Sequence, residues 1–490
     1  MGGGIHQSGV SLRALLPEGE VVGAADIRVG HISFDSRMCR EGDLFAALRG
    51  RSVDGHAFVD EAVRMGAKAV LASQPLPGCP VPVCYVTDTH AAYARLCQGL
   101  AGKPAERLKT IGVAGAFGKT TTAYLIASAL SAGGRLPGLL TSLGYCDGRE
   151  ISDARWTTPP AHVAAAWLAR MVENERTHAV AEISGRGLRE SRLAGVDFDC
   201  LCVTNWRGDE HSTGGAKTRL LEQLTPEGVL VVNVDDAESR ELCDRHDGPV
   251  VTIGIDHPAE ISASVVERSR SEQTLLLSFG REVVPLRTTL HGRHNVLNCL
   301  LAAAVGSVYG ISPAEIIRGL EEVRELPGRL ERIECGQPFG VFVDEGLSPD
   351  SLGVCLESLR ETAEGRLICV FSSSPLHSRA SRLRLAKSVE RWCDMAVMTS
   401  SPVAGDGKNV GEVTEDWTDA AHFEVVPDRA EAVHRVLRQA RPGDCVLIAG
   451  QGSGTYRLAD REQDYWDDRQ VAREVLYSLP SAESPRKRAA

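Results

Sequence analysis

At 490 residues the chain is too long for one ordinary hydrophobic core, and its length alone predicts about three domains. A formal net charge of −11 argues against a broad nucleic-acid-binding surface. No apolar run reaches the ~18 residues a membrane-spanning helix needs, so no membrane insertion is expected.

Residues 1–107 are predicted to form a first α/β domain, with short β-like stretches between turns, a helix over 58–65 and a strand over 69–72. Gly102-Lys103-Pro104 reads as a helix end and linker. A second domain, 108–327, starts with a β-type run over 108–113 and a helix over 121–130. Strand-like runs recur at 178–183, 200–204, 228–234 and 250–255, several separated by helical stretches. This alternation predicts a mainly parallel sheet covered by helices. Alternation of apolar and polar residues over 262–288 predicts a small antiparallel hairpin insertion, followed by a helix over 295–308. A third domain, 328–490, repeats the pattern with strands near 340–343, 367–371, 395–399, 422–426 and 444–449, as in a second doubly wound, Rossmann-like fold. The 14 cysteines are scattered without a CxxC pair, and Cys200-x-Cys202 falls in a buried-strand pattern. A zinc site is therefore not expected, and the usage fits a reducing cytoplasm. No basic stretch followed by an apolar run opens the chain, which also predicts a cytoplasmic protein. The basic cluster Pro485-Arg486-Lys487-Arg488 reads as a solvated extension.

Chemistry concentrates in Gly112-Val113-Ala114-Gly115-Ala116-Phe117-Gly118-Lys119-Thr120-Thr121-Thr122. Gly115 and Gly118 let backbone N–H groups turn inward around phosphate oxygens, and the helix opening at Thr121 adds its positive end. Lys119 can reach the outer phosphates and Thr120 can bind Mg²⁺, so a nucleoside triphosphate is expected. Val113 stands where the strict phosphate-loop spacing has glycine.

Further segments carry a family resemblance. They are Asp35-Ser36-Arg37, Gly42-Asp43-Leu44-Phe45, Asp54-Gly55-His56, Thr157-Thr158-Pro159, Ala216-Lys217, Asn233-x-Asp235-Asp236, Pro327-Gly328-Arg329-Leu330-Glu331, Val343-Asp344 and Val446-Leu447-Ile448-Ala449-Gly450. In this order and spacing the chain resembles the Mur ligases, the ATP-dependent amide-forming enzymes of peptidoglycan precursor synthesis. It is most similar to the branch that adds the third residue of the stem peptide. The resemblance implies the three-domain Mur ligase architecture, with a phosphate-loop central parallel sheet and a Rossmann-like C-terminal domain. It also implies an acyl phosphate attacked by an amine, with ATP and Mg²⁺ as cofactors and a UDP-N-acetylmuramoyl-dipeptide and an amino acid as substrates. On this basis Lys119 contacts ATP phosphates, and Thr120 and Glu182 hold Mg²⁺. Glu182 ends the apolar run 178–181, at the strand end where α/β sites form. Lys217 matches a lysine that relatives carbamylate, and His211 is a substitute metal ligand. Asn298, Arg329 and Asp344 fall where relatives contact adenine, γ-phosphate and ribose. Ser36, Thr157, Thr158, Ser184 and Arg192 fall on the UDP-precursor side.

Several positions depart from the family pattern. Ala116-Phe117 replaces a polar pair in the phosphate loop, and Arg186 replaces a histidine. The metal segment reads Asp209-Glu210-His211-Ser212-Thr213-Gly214-Gly215 and is shorter before Lys217. Leu347 replaces another histidine, Ser401-Pro402-Val403-Ala404 stands where the D-N-P-R motif for diaminopimelate would lie, and Gly450-Gln451-Gly452-Ser453-Gly454 replaces G-K-G-H-E. Two readings stay open: a working ligase with changed amino-acid specificity, and a non-catalytic paralogue that binds nucleotide or precursor. Ligases of folylpolyglutamate or cyanophycin synthesis fit less well, because the first-domain segments are of the UDP-muramoyl type.

Overall fold

Strands built from uninterrupted Val, Ile, Leu and Ala bury both faces, as parallel strands under helices must. Ala69–Ala72 and Leu367–Ser372 are buried at every position. The computed structural model describes residues 9–50, 53–206, 215–269, 271–346, 348–372, 379–400, 423–456 and 464–479. The chain packs as two compact units, Met1–Ile261 with Leu301–Gly319 and Ser262–Leu300 with Leu320–Ala490.

Among the described residues, the first unit holds a short antiparallel pair, Val10–Ser11 with Arg28–Val29, and two larger sheets. One orders Glu20–Val22, Val83–Tyr85, Ala69–Ala72, Leu44–Ala46 and Ile32–Ser33, with only the Glu20–Val22 edge antiparallel. The helix Thr89–Leu100 starts where the Asp88 carboxylate accepts the His90 and Ala91 N–H groups. The region expected as one helix over 58–65 is a 3₁₀ turn, Gly55–Phe58, running into the helix Val59–Arg64. Asp54 caps the turn by accepting the His56 N–H.

The other sheet places Lys109–Ala114 between His178–Ile183 and Phe198–Val203, with Leu224–Asn233 and Val250–Gly254 beyond and Pro137–Thr141 on the far side. All these pairings are parallel, and the antiparallel strands Gly144–Cys146 and Ile151–Ser152 close the edge. The register sets Glu182 beside Val113 and Ile183 beside Ala114. The candidate carboxylate therefore reaches the same sheet edge as the glycine turn. The helix after that turn runs Lys119–Ala132, longer at both ends than expected, because Gly118 at φ 81° caps it.

In the second unit, Gln273–Phe279 and Glu282–Thr288 form the expected hairpin, turning at Gly280 (φ 63°). A further strand, Ile261–Arg268, lies beside it. The main sheet orders Glu331–Arg332, Gly340–Asp344, Cys445–Ala449, Leu367–Ser372, Met395–Thr399 and Glu424–Val425, parallel except at its first pair. Separate buried clusters fill its two faces, one around Leu356, Phe371 and Leu447, the other around Val370, Val433 and Ile448. Among the described residues, no helix is long and apolar enough to cross a membrane.

Candidate active site

Gly115 carries φ 137°, and a Cβ there would lie 2.1 Å from Thr204 Oγ1. Only glycine fits that corner. The loop that follows is tied from the neighbouring strand's end. Asn205 Oδ1 accepts the Ala116 N–H at 3.1 Å, while Asn205 Nδ2 and Thr204 Oγ1 donate to the Phe117 carbonyl at 2.9 and 2.7 Å. Asn205 is buried, so its carboxamide is a fixed support. Lys119 Nζ donates to the Gly115 and Ala116 carbonyls at 2.7 and 3.1 Å, folded over the loop it serves.

Beside it, Thr120 Oγ1 and Ser142 Oγ lie 3.0 Å apart, and the Ser142 N–H donates to Glu182 Oε1 at 3.0 Å. Thr120 and Glu182 are only 4% and 1% exposed, so these oxygens form a buried polar line. Two hydroxyls and one carboxylate are a hard-oxygen donor set that suits Mg²⁺, which prefers few carboxylates supplemented by phosphate oxygens and water. Among the described residues no group of three or more His, Cys, Asp or Glu side chains gathers as a metal cluster.

Thr158 and Ser184 are brought together next to Glu182. Thr158 Oγ1 donates to the Glu182 carbonyl at 2.7 Å, lies 3.0 Å from Ser184 Oγ and accepts the Ser184 N–H. Ser184 also caps the helix Gly185–Arg189. Arg192 donates through Nη1 to the Thr158 carbonyl at 2.6 Å and through Nε and Nη2 to Glu190 Oε2 at 2.8 and 2.6 Å. Arg186, at the position expected to differ, holds the other Glu190 oxygen at 2.7 Å. Burial works against the charged Glu190, but the two guanidiniums outweigh it and hold the carboxyl below its ordinary value. Arg192 is thus already clasped by an internal anion.

The remaining sequence-derived residues lie in other networks. Ser36 is buried and donates its hydroxyl to Glu61 Oε2 at 2.5 Å. Next to it, Phe34 is 48% exposed and packs 5.3 Å from the His162 ring, with Tyr93 behind. Lys217 donates to the Glu238 carbonyl and to Glu241 Oε2, both at 2.8 Å. His211 lies outside the described residues. In the second unit, Asn298 donates to Asn295 Oδ1 at 2.9 Å. Arg329 pairs with Glu345 at 2.5 Å. Asp344 accepts the Leu330 and Gly346 N–H groups at 2.7 Å each, which binds the turn carrying Arg329 to the strand end carrying Asp344. Burial pushes the Asp344 carboxyl above its ordinary value, against Arg329 and those N–H groups.

Sequence reasoning passed over Asn205, Ser142, Glu190 and Phe34. An asparagine and a serine at strand ends carry no periodic signal. Phe34 was readable as an apolar residue just ahead of Asp35-Ser36-Arg37.

Three family profiles match consecutive stretches of the chain: the Mur ligase family catalytic domain over 28–99, the middle domain over 113–306 and the Mur ligase glutamate ligase domain over 328–452. A UDP-N-acetylmuramoyl-L-alanyl-D-glutamate–2,6-diaminopimelate ligase of Bacillus cereus is 31% identical over 480 residues, covering 95% of this chain and 98% of that one. The chain belongs to the Mur ligase family. Members of this family are ATP-dependent ligases. The enzyme of the same name from Halalkalibacterium halodurans is 33% identical over 91% of this chain and 94% of its own. A UDP-N-acetylmuramyl-tripeptide synthetase of Roseiflexus is 31% identical over 92% and 95%. A solved structure of a diaminopimelate-adding ligase superposes with TM-score 0.65 at 23% identity, covering 96% of this chain and 99% of that one. A MurF ligase from Thermotoga maritima in complex with ADP gives TM-score 0.58 at 17% identity, over 91% and 96%. The fold is the three-domain α/β fold of the Mur ligases.

Proposed function

We propose that this Mur ligase joins an amino acid to a UDP-N-acetylmuramoyl-peptide through an acyl phosphate, in the cytoplasm, as a step of peptidoglycan precursor synthesis. The observation that carries the reading is the corner formed by the phosphate loop, Thr120, Ser142 and Glu182 at one sheet edge. Residues 1–107 would hold the UDP-precursor, 108–327 the nucleotide and 328–490 the amino acid. In the nucleotide segment, Gly115, Gly118 and Thr121 shape and open the phosphate cradle, and Lys119 leaves its loop carbonyls to neutralise the outer phosphates of ATP. Thr120 and Glu182 would hold Mg²⁺, which supplies charge neutralisation on the transferred phosphoryl group. Asn298, Arg329 and Asp344 would serve the nucleoside and outer phosphate. Thr157, Thr158, Ser184 and Arg192 would face the muramoyl portion. Ser36, and Phe34 as an apolar platform beside it, would face the uridine. Because Ser401-Pro402-Val403-Ala404 lacks the carboxylate-binding arginine of D-N-P-R, we propose an amine other than diaminopimelate.

His211 and Lys217 complete the proposed catalytic set, which requires the Lys217 amine to leave Glu241. That ion pair favours a second reading, a paralogue that binds nucleotide or precursor without turnover. Phosphate release from ATP with Mg²⁺, UDP-N-acetylmuramoyl-dipeptide and one amine at a time decides between them. The expected result is release that depends on one amine and falls about a hundred- to a thousandfold in Lys119→Ala. Nucleotide binding with no release under any amine would establish the second reading.

A further inference from the structure

Arg329 stands between two residues of left-handed backbone, Gly328 at φ 63° and Leu330 at φ 49°. Glycine takes that conformation freely. A leucine is strained there and persists only where its surroundings over-determine it. Hydrogen bonds tie the turn from several directions. The Arg329 N–H donates to the Leu326 carbonyl at 3.1 Å, and the Gly328 carbonyl accepts the Glu345 N–H at 2.9 Å. The Leu330 N–H donates to Asp344 Oδ2 at 2.7 Å, and the Gly328 N–H donates to Glu331 Oε2 at 2.9 Å.

The tie to Glu331 reaches furthest into the second unit. Glu331 is 6% exposed and opens the strand Glu331–Arg332, opposite Val343. Its Oε1 accepts from Arg473 Nη2 at 3.0 Å, and its Oε2 faces Arg469 Nη1 at 3.5 Å. Both arginines come from the helix Asp468–Ser478, at i and i+4 and hence on one face. The start of that helix is fixed in its turn. Asp467 caps it and pairs with Arg469, while the fully buried Asp468 accepts from Arg429 Nε and Nη2 at 2.8 and 2.6 Å and from Trp466 Nε1 at 2.8 Å. One backbone N–H needs only a neutral acceptor, and a buried carboxylate is costly unless it is paired. Here two guanidiniums pair it, so Gly328 is held by an anion fixed in place.

We propose that Glu331 is a positioning residue for Arg329: its carboxylate, held by Arg469 and Arg473, fixes the turn from which the guanidinium serves the outer phosphate of ATP. This rests on the ligase reading, in which Arg329 serves that phosphate. Both Glu331 oxygens are engaged within the chain, so it acts through Arg329 and not on a ligand. The guanidinium itself pairs with Glu345 at a partly exposed position, where one anion can replace another while the backbone of the turn stays as it is.

Calorimetric titration of the full chain with ADP and with the β,γ-methylene analogue of ATP, each with Mg²⁺, tests this. The ratio of the two affinities isolates the contribution of the outer phosphate. Arg329→Gln is expected to lower the preference for the analogue about tenfold or more. Glu331→Ala is expected to lower it by a similar factor with ADP affinity unchanged, and Glu331→Gln, which keeps an oxygen for the Gly328 N–H, to restore part of the loss. Arg473→Gln leaves Glu331 in place and is expected to lower the preference about two- to fivefold. Glu331→Ala combined with Arg329→Gln is expected to lose no more than Arg329→Gln alone, because the first acts through the second. A preference lost in Arg329→Gln but intact in Glu331→Ala and Arg473→Gln overturns the positioning role alone. Equal weakening of both nucleotides by those two variants also overturns it, leaving Glu331 a purely structural residue. A preference unchanged in Arg329→Gln overturns the assignment of Arg329 to the outer phosphate, and the positioning role with it.

Discussion

The two ends of the central sheet solve the same problem in opposite ways. At the strand ends, polar side chains from one loop are spent on the backbone of the next: Asn205 and Thr204 on the phosphate loop, Thr158 on the Glu182 carbonyl. At the strand starts, the buried Oε1 atoms of Gln98 and Gln223 have no hydrogen-bond partner among the described residues. His178, at the start of its own strand, is pressed between packing and Tyr309, 4.8 Å away edge to face. A cross-tied end is preorganised for a ligand whose charge is fixed in advance. An end that leaves buried acceptors unsatisfied carries their desolvation cost instead.

The comparison breaks most sharply at Gly115. Gly115→Ala forces a Cβ onto the Thr204 hydroxyl at a backbone angle that disfavours side chains. A stability loss of about 1–3 kcal/mol is expected in denaturant unfolding, with nucleotide binding lost in titration calorimetry. Asn205→Ala comes next: it removes the acceptor of the Ala116 N–H and one of the two donors to the Phe117 carbonyl. It should cost about 1–3 kcal/mol and weaken nucleotide binding while leaving precursor binding alone. Glu190→Gln is milder. Arg192 keeps the Thr158 carbonyl but loses its anionic clasp. Precursor affinity, read by calorimetry, is expected to rise by at most ~1 kcal/mol. A fall would mean that Glu190 presents Arg192 to its ligand instead of competing for it.

The smallest effect lies at the strand starts. Burial, aided by the charge of Arg135, brings the His178 imidazole down to about 4, with Asp199 opposing. The folded state thus stays unprotonated where the unfolded chain, with an ordinary histidine near ~6.5, takes up a proton. Stability from this site is complete above the ordinary value and declines as pH falls from there towards about 4. Melting temperatures across that window should decline less steeply in His178→Gln. A slope identical to the parent would place the acid sensitivity elsewhere.

Much of this architecture was written locally in the chain. Ala69–Ala72 and His178–Ile183 read as strands at their observed limits, because runs of small and β-branched apolar residues leave few alternatives. Glu182 was placed correctly at a strand end for the same reason. Boundaries slipped where a cap decided them, as at Gly118 and at Asp54. The networks were less legible. Ala116 and Asn205 are 89 positions apart, and the contact between them is a property of strand order, which no local pattern records. The Glu190 clasp was not read because Arg192 was assigned to the precursor and Arg186 was seen only as the replacement of a histidine, with Glu190 between them given no role. The two units' own contributions, such as the tie between Leu330 and Asp344, were visible only as ordered motifs whose purpose awaited the fold.

Gly187 sits so close to Thr158 that a Cβ would lie 2.7 Å from the threonine's Cβ. Thr158 cannot retreat freely, because its hydroxyl serves both Glu182 and Ser184. Positions 158 and 187 are therefore expected to vary as a linked pair during evolution. A larger residue at 187 becomes tolerable only with glycine at 158, because serine keeps both the Cβ and the hydroxyl oxygen that would lie 2.7 Å away. In a library randomised at both positions, small side chains should be recovered in combination, and their distribution should not be the product of the two single-site distributions.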